Sequence, residues 1–243
     1  MVWLALGALL ILLASGCNTG GAPVREIGER ASALRGAGPA VHIVAKGDTL
    51  YSICWRYGLD YQDVAKANGI GPPYTIYVGQ RINLGGVEPR TRLVESSPQR
   101  LGKKSSPTSR SKTPAASQGS PIKWLWPMDG EILQRFSLEG QVNKGVDIAG
   151  RLGESVACAA DGVVVYAGSG LGGYGKLVIV KHNVHYLSAY GHNSKLLVKE
   201  GDSVKGGQIV AEIGSSGKHL AMLHFEIRKD GKPKDPLLFL PRR

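Results

Sequence analysis

Aromatic side chains make up only 7% of the 243 residues, and three Phe stand against 34 Gly and 13 Pro. So few large core-filling groups among so many turn formers argue for turn-rich β structure and against a helical bundle. The composition also excludes a coiled coil and collagen, while 42% hydrophobic residues leave enough to bury the cores of one or two modest domains. Cysteine is nearly missing. Its three copies, Cys17, Cys54 and Cys158, fall in different segments, so no disulfide framework is expected, and Cys54 and Cys158 read as small buried residues. No apolar run reaches the roughly 20 residues of a membrane-spanning helix. Residues 2–14 form an unbroken apolar stretch that stops at Ser15 and Gly16, just before Cys17, and this is the length of a signal-peptide core.

Acidic residues are scarce too, 19 against 30 Lys and Arg, for a net charge of +11. Where the charge sits decides what it means. Residues 85–123 hold eight Lys or Arg and two Glu, a local +6, in a stretch of Ser, Thr, Pro, Gly and Gln without hydrophobic periodicity. A nucleic-acid-reading domain is therefore disfavoured. A basic segment of this kind suits polyanions such as lipid head groups or acidic wall polymers.

The small residues before Cys17 resemble the lipobox of bacterial lipoproteins, in which the signal, here residues 1–16, is cut and the new N-terminal Cys is acylated. Cys17 would then be the lipidation site and membrane anchor. In that family an Asp after the Cys favours inner-membrane retention, so Asn18 implies an outer-membrane lipoprotein facing the periplasm. Residues 17–41 and 85–123 read as tethers, the second a disordered basic linker.

Residues 42–84 have the pattern of a βααβ unit. His42, Ile43 and Val44 form a short β run, and Asp48 or Thr49 offers an N-cap. Leu50, Ile53, Cys54 and Tyr57 then make one apolar stripe, which ends at Gly58. Asp60 and Asp63 open a second helix, Asn68 and Gly69 close it, and residues 81–84 return as a strand. Lys46-Gly47-Asp48-Thr49-Leu50-Tyr51-Ser52-Ile53, Asn68-Gly69-Ile70 and Tyr77-Val78-Gly79-Gln80-Arg81-Ile82 resemble a LysM domain, a module that binds N-acetylglucosamine-containing glycans, including peptidoglycan. The resemblance places glycan contacts at Gly47, Asp48, Thr49, Leu50, Asn68, Gly69, Ile70 and Tyr77. Gly47, Gly69 and Gly79 are also turn residues and Ile53 is core, which leaves the loop backbone, Thr49 and Tyr77 as the sugar contacts to expect.

Residues 124–243 alternate in short β runs at 156–166, 176–181, 186–190, 207–213 and 223–228, punctuated by Gly, so an all-β domain is expected. His182 and His185 flank a hairpin turn and read as surface residues. Asn143-Lys144-Gly145-Val146-Asp147, Tyr190-Gly191-His192 and Met222-Leu223-His224-Phe225-Glu226 resemble the LytM or M23 peptidoglycan metallopeptidases, whose fold is the duplicated hybrid motif. The resemblance implies a zinc site with Asp147 and His224 as ligands and His192 as a catalytic group. Asn143 stands where a ligand His belongs, and Met222 where a catalytic His belongs. An amide is a weak neutral ligand for zinc, and a thioether cannot transfer a proton. Asp147 and His224 are instead free to hydrogen-bond each other, and His219 is the nearby His that could replace a ligand. No cofactor or metal and no catalysis are expected.

Lipobox, LysM domain, basic linker and degenerate LytM domain in that order resemble the NlpD-type murein hydrolase activators. The resemblance implies a non-enzymatic septal regulator that switches on a periplasmic zinc N-acetylmuramoyl-L-alanine amidase. The partner would dock around Asn143, Asp147, His192, Met222 and His224, with residues 169–174 as a rim. A working zinc endopeptidase and a passive outer-membrane-to-wall tether are the alternatives.

Overall fold

The computed structural model describes residues 39–85, 121–215 and 220–243. Cys17, His219 and most of both tethers lie outside them. Strand β1 (Val41–Ile43) pairs antiparallel with β2 (Arg81–Asn83), His42 opposite Ile82, and between them run helices α1 (Leu50–Tyr57) and α2 (Tyr61–Ala67). Thr49 caps α1. Its hydroxyl accepts from the Ser52 amide, and Ser52 Oγ accepts from the Thr49 amide, each at 3.0 Å, a reciprocal capping box. Gly58 ends the helix with φ 66°, and the Asp60 carboxylate caps α2 by accepting from the Gln62 and Asp63 amides. Asp48 is instead bound to the Ala45 amide and to His42 Nε2. In α1 every residue from Leu50 to Trp55 is buried, more than the single stripe its spacing predicts. A short helix buried on all sides needs a second body against it.

That body is the C-terminal sheet. Its strands are β3 (Ile132–Gln134), β4 (Val146–Ala149), β5 (Ser155–Ala157), β6 (Gly162–Gly168), β7 (Lys176–Lys181), β8 (Tyr186–Leu196), β9 (Ser203–Val204), β10 (Ile209–Ile213), β11 (Met222–Lys229) and β12 (Lys232–Lys234). They pair antiparallel in the order β3-β4-β11-β8-β7-β6-β9, with β10 joining β8 to β5 and β12 alongside the end of β11. Alternation along the strands gives the sheet two apolar faces. Val178, Val180, Tyr190, Leu223, Phe225 and Ile227 enclose the core of the C-terminal domain. Leu177, Ile179, Leu187, Ala189 and Tyr166 face the other way and share one apolar cluster with Leu50, Tyr51, Cys54, Trp55 and Tyr61 of the helical unit. The two domains are therefore packed on each other as well as joined along the chain.

The expectation that His182 is a surface residue is wrong. It is buried, with Nδ1 2.8 Å from the Asp161 carbonyl and Nε2 2.7 Å from Ser188 Oγ, and burial pushes it down to about 4. A neutral imidazole is the inexpensive form here, because charging it would cost desolvation. His185 does sit near the surface, 2.7 Å from the Asp230 carboxylate. Ser188 continues the buried chain to the Tyr190 hydroxyl at 2.9 Å, which accepts from the Ala159 amide at 2.7 Å. Cys54 and Cys158 are buried free thiols.

Tyr190→Phe would leave the Ala159 amide without its acceptor in a dry core. We expect a loss of about 1–3 kcal/mol, read as a lower urea midpoint with an unchanged slope; an unshifted midpoint would mean that water or a backbone shift satisfies the amide.

Candidate functional site

Strand register assembles the site. On β11, His224 lies opposite Asp147 of β4 on one side and Gly191 of β8 on the other. Because side chains alternate, Met222, His224, Glu226 and Arg228 share the face away from the C-terminal core. Asp147 Oδ1 is 2.6 Å from His224 Nδ1, and Glu226 Oε1 is 3.1 Å from His224 Nε2. Glu226 Oε1 also accepts from the Tyr174 hydroxyl at 2.7 Å, and its Oε2 accepts from Arg228 Nε at 2.9 Å. Carboxylate, imidazole, carboxylate and guanidinium thus form one row, which crosses from Asp147 on β4 to His224 and then follows β11.

The charges follow from the contacts. Burial alone would keep the His224 ring neutral, but the Asp147 and Glu226 carboxylates outweigh it and hold the ring up at about 9. For Glu226, burial would favour the acid, but Arg228 and His224 prevail and bring it down to about 2. His224 is therefore an imidazolium at neutral pH, with both ring nitrogens donating to carboxylates. His192 is shifted the other way, lowered by burial and then by the His224 charge, and its ring stands edge-on to His224 at 5.9 Å. Its φ of 64° marks a kink in β8, where its amide donates to the Tyr174 carbonyl and fastens residues 169–174 beside the site.

Asn143 occupies the hairpin between β3 and β4. Its Oδ1 accepts from the Gly145 amide at 3.2 Å, and its backbone pairs with Ser137. Gly145 passes so close to β11 that a Cβ there would lie 2.2 Å from the Phe225 carbonyl oxygen, so the turn requires glycine. Met222, opposite Ala149, stands at the other end. Of the residues expected at the site, Asp147 and His192 meet His224 directly, Met222 lies two positions before it on the same face of β11, and Asn143 bonds, among the described residues, only with Gln134, Ser137 and Gly145; Glu226 and Arg228 join the row, and Tyr174 of the expected rim bonds to it. The signal for Glu226 and Arg228 was the strict alternation in Met222-Leu-His-Phe-Glu-Ile-Arg, where charged residues recur on the face of a central strand.

These residues do not fit a zinc ion. A zinc site needs three or four neutral imidazole, thiolate or carboxylate donors converging on one point. Here the Asn143 amide oxygen is turned to backbone, and one carboxylate, Asp147, and one imidazole, His224, meet without a third such donor among the described residues.

The glycan candidates separate into two kinds. Leu50 is buried, and Ile70 packs on the helical core. Asn68 Nδ2 donates to the Val64 and Asn83 carbonyls, and its Oδ1 accepts from the Asn83 amide, so it ties α2 to β2. Gly47 and Gly69 take left-handed turns, Asp48 is engaged as described, and Thr49 donates to the Val165 carbonyl at 3.2 Å. Tyr77 is 71% exposed beside an equally exposed Val78.

Two outcomes are expected. Asn143→His restores an imidazole beside Asp147 and His224, so the purified variant should retain roughly one zinc per chain where the parent retains none after dialysis; equal zinc contents would show that Asn143 is not what prevents binding. Because His224 has a raised pKa in the folded chain, its contribution is complete below the unfolded value of about 6.5 and disappears as pH rises through about 9. The gap between parent and His224→Gln denaturation midpoints should accordingly narrow between those pH values, and a gap independent of pH would refute the imidazolium assignment.

Residues 141–236 match the model of Peptidase family M23, and residues 42–85 match that of the LysM domain. The chain is 44% identical to the lipoprotein NlpD/LppB homolog of Pseudomonas aeruginosa, across 99% of this chain and 92% of that protein. It is 38% identical to the E. coli lipoprotein YgeR, across 95% and 89% of the two. The murein hydrolase activator NlpD of Salmonella typhimurium is 36% identical, across 85% of this chain and 69% of the relative.

Proposed function

The chain belongs to the NlpD family of lipoproteins, and from that premise we propose that it binds peptidoglycan and switches on a periplasmic zinc N-acetylmuramoyl-L-alanine amidase without cleaving murein itself. The observation that supports the second half is the row Asp147, His224, Glu226 and Arg228, in which both ring nitrogens of His224 face carboxylates and Glu226 is paired with Arg228. A charged, rigid groove floor of this kind suits recognition. Exposed Leu138 and Val142 flank the Asn143 hairpin, and exposed Leu220 precedes Met222, giving a protein partner apolar anchors around a polar centre. The amidase segment that docks there would shift its enzyme towards an open state by binding that state more tightly. The LysM domain would hold the activator on glycan, with Tyr77 as its most accessible side chain. Acylated Cys17 would place it on the outer membrane facing the periplasm, with enrichment at the septum following from its glycan and amidase partners.

The test is dye release from labelled peptidoglycan by the full chain, alone and with a periplasmic amidase, each with and without chelator. Release is expected only in the mixture, above the amidase's own rate. Chelator-sensitive release by the chain alone would overturn the proposal in favour of a zinc endopeptidase. Met222→Arg on the groove face is expected to remove stimulation and to leave peptidoglycan pull-down intact; unchanged stimulation would place the docking surface elsewhere, and no stimulation by the parent would leave a passive tether.

A further inference from the structure

The face of the sheet that holds Asp147 and His224 does not end at the groove. It continues along β11 to Arg228, and across β8 and β7 to Leu187, Ala189, Leu177 and Ile179, and the LysM domain is seated on that continuation. We infer that this seating is an autoinhibitory contact: the LysM domain walls one side of the groove, and glycan releases it because glycan and docking use the same LysM loops. The inference rests on the activator reading above and supplies its regulation.

The polar row of the groove ends in the LysM domain. Arg228 Nη1 donates to the Trp55 carbonyl at 2.6 Å, and its guanidinium lies 3.6 Å from the centre of the Trp55 ring. The rim loop is held from the same side, since Arg56 donates to the Gly170 carbonyl at 3.2 Å and Leu171 is buried in the shared apolar cluster. A partner entering over Glu226 and Tyr174 therefore meets the end of α1, and the rim cannot move outwards while α1 is seated. A buried arginine shared between two domains is a switchable element, because it is satisfied only when the domains meet.

The LysM side of the interface uses the loops assigned to sugar. Thr49 donates to the Val165 carbonyl at 3.2 Å. Tyr74, in the stretch between Asn68 and Tyr77, joins Tyr51 and Tyr61 around the Lys181 ammonium, which stands 5.6, 5.7 and 5.9 Å from the Tyr51, Tyr61 and Tyr74 ring centres. Three tyrosines around an ammonium form an aromatic cage, here filled by the chain's own lysine. A glycan strand lying across Thr49 and the 68–77 loop has to displace these contacts, so the two equilibria are linked and each weakens the other.

One residue allows the contact to be broken without touching either core. Gly231, in the turn between β11 and β12 with φ +73°, approaches the LysM backbone so closely that a Cβ would lie 2.4 Å from the Leu59 carbonyl carbon and oxygen. Asn tolerates that backbone conformation, so Gly231→Asn is permitted by the turn and forbidden by the docked LysM domain. Gly153→Asn, at φ +81° with nothing within 4 Å, is the control for backbone strain.

The experiment uses the full chain carrying Gln62→Cys and Val184→Cys, at a point where the Gln62 amide donates across the interface to the Val184 carbonyl at 2.7 Å. Mild oxidation is expected to link the domains. Oligomers of N-acetylglucosamine, or added Gly231→Asn, should slow the linking several-fold, and Gly153→Asn should not. The oxidised chain should stimulate the amidase several-fold less than the same chain after reduction, and Gly231→Asn alone should stimulate without added oligomers at least as strongly as the parent does with them. Linking that is indifferent to the oligomers overturns the competition, and equal stimulation by locked and released chains overturns the autoinhibition. If Gly231→Asn does not fold, the cross-linked pair decides. Absence of stimulation by every form, with linking still sensitive to glycan, would remove the activator reading and the autoinhibition while leaving the domain release standing.

Discussion

Glu226 sits in the middle of β11 without contact to solvent, and it stays ionised because a guanidinium, an imidazolium and a phenol all turn towards it. A buried carboxylate without such partners would be protonated or would unfold the strand. Each partner links Glu226 to a different part of the molecule. His224 joins the carboxylate to Asp147 on β4, Tyr174 joins it to the rim loop, and Arg228 joins it to the LysM domain through the Trp55 carbonyl. The groove, its rim and the interdomain contact therefore depend on one charge remaining in place. Removing either Glu226 or Arg228 would strand the other as an uncompensated buried ion, whereas removing both together would be far milder.

The same network shows how the strands of this peptidase-like fold are held together by side-chain bonds. In the M23 resemblance the strand register serves to converge ligands on a metal. Here Asp147 and His224 hold each other at 2.6 Å, so the strands remain pinned without an ion. Asn143 satisfies the Gly145 amide and closes its hairpin, a structural task that an amide performs well. What remains is a charged row whose positions are set by the sheet register.

Much of this was legible in the sequence because it depends on local spacing. The caps at Thr49 and Asp60, the left-handed stop at Gly58 and the βααβ order follow from side-chain reach and backbone sterics within a few residues. Strand β7 came out at 176–181, where apolar residues run without a break. That unbroken run, Leu-Val-Ile-Val, implies more than a strand: a strand apolar on both faces must be covered on both. The buried stretch from Leu50 to Trp55 is the matching half of the same interface. His182 was misread because hairpin ends are usually wet, and nothing local reveals that Ser188 and the Asp161 carbonyl close around it.

The sequence by itself determined the modules, their order and their element types, since each of these is encoded within a motif. The tertiary structure alone decided that His224 is charged, that Glu226 and Arg228 belong to the site, and that the LysM domain rests on the same face as the groove. Those facts arise from contacts between residues such as Trp55 and Arg228, 173 positions apart. Burial and Coulomb interactions depend on distance in space, and spacing along the chain does not report it.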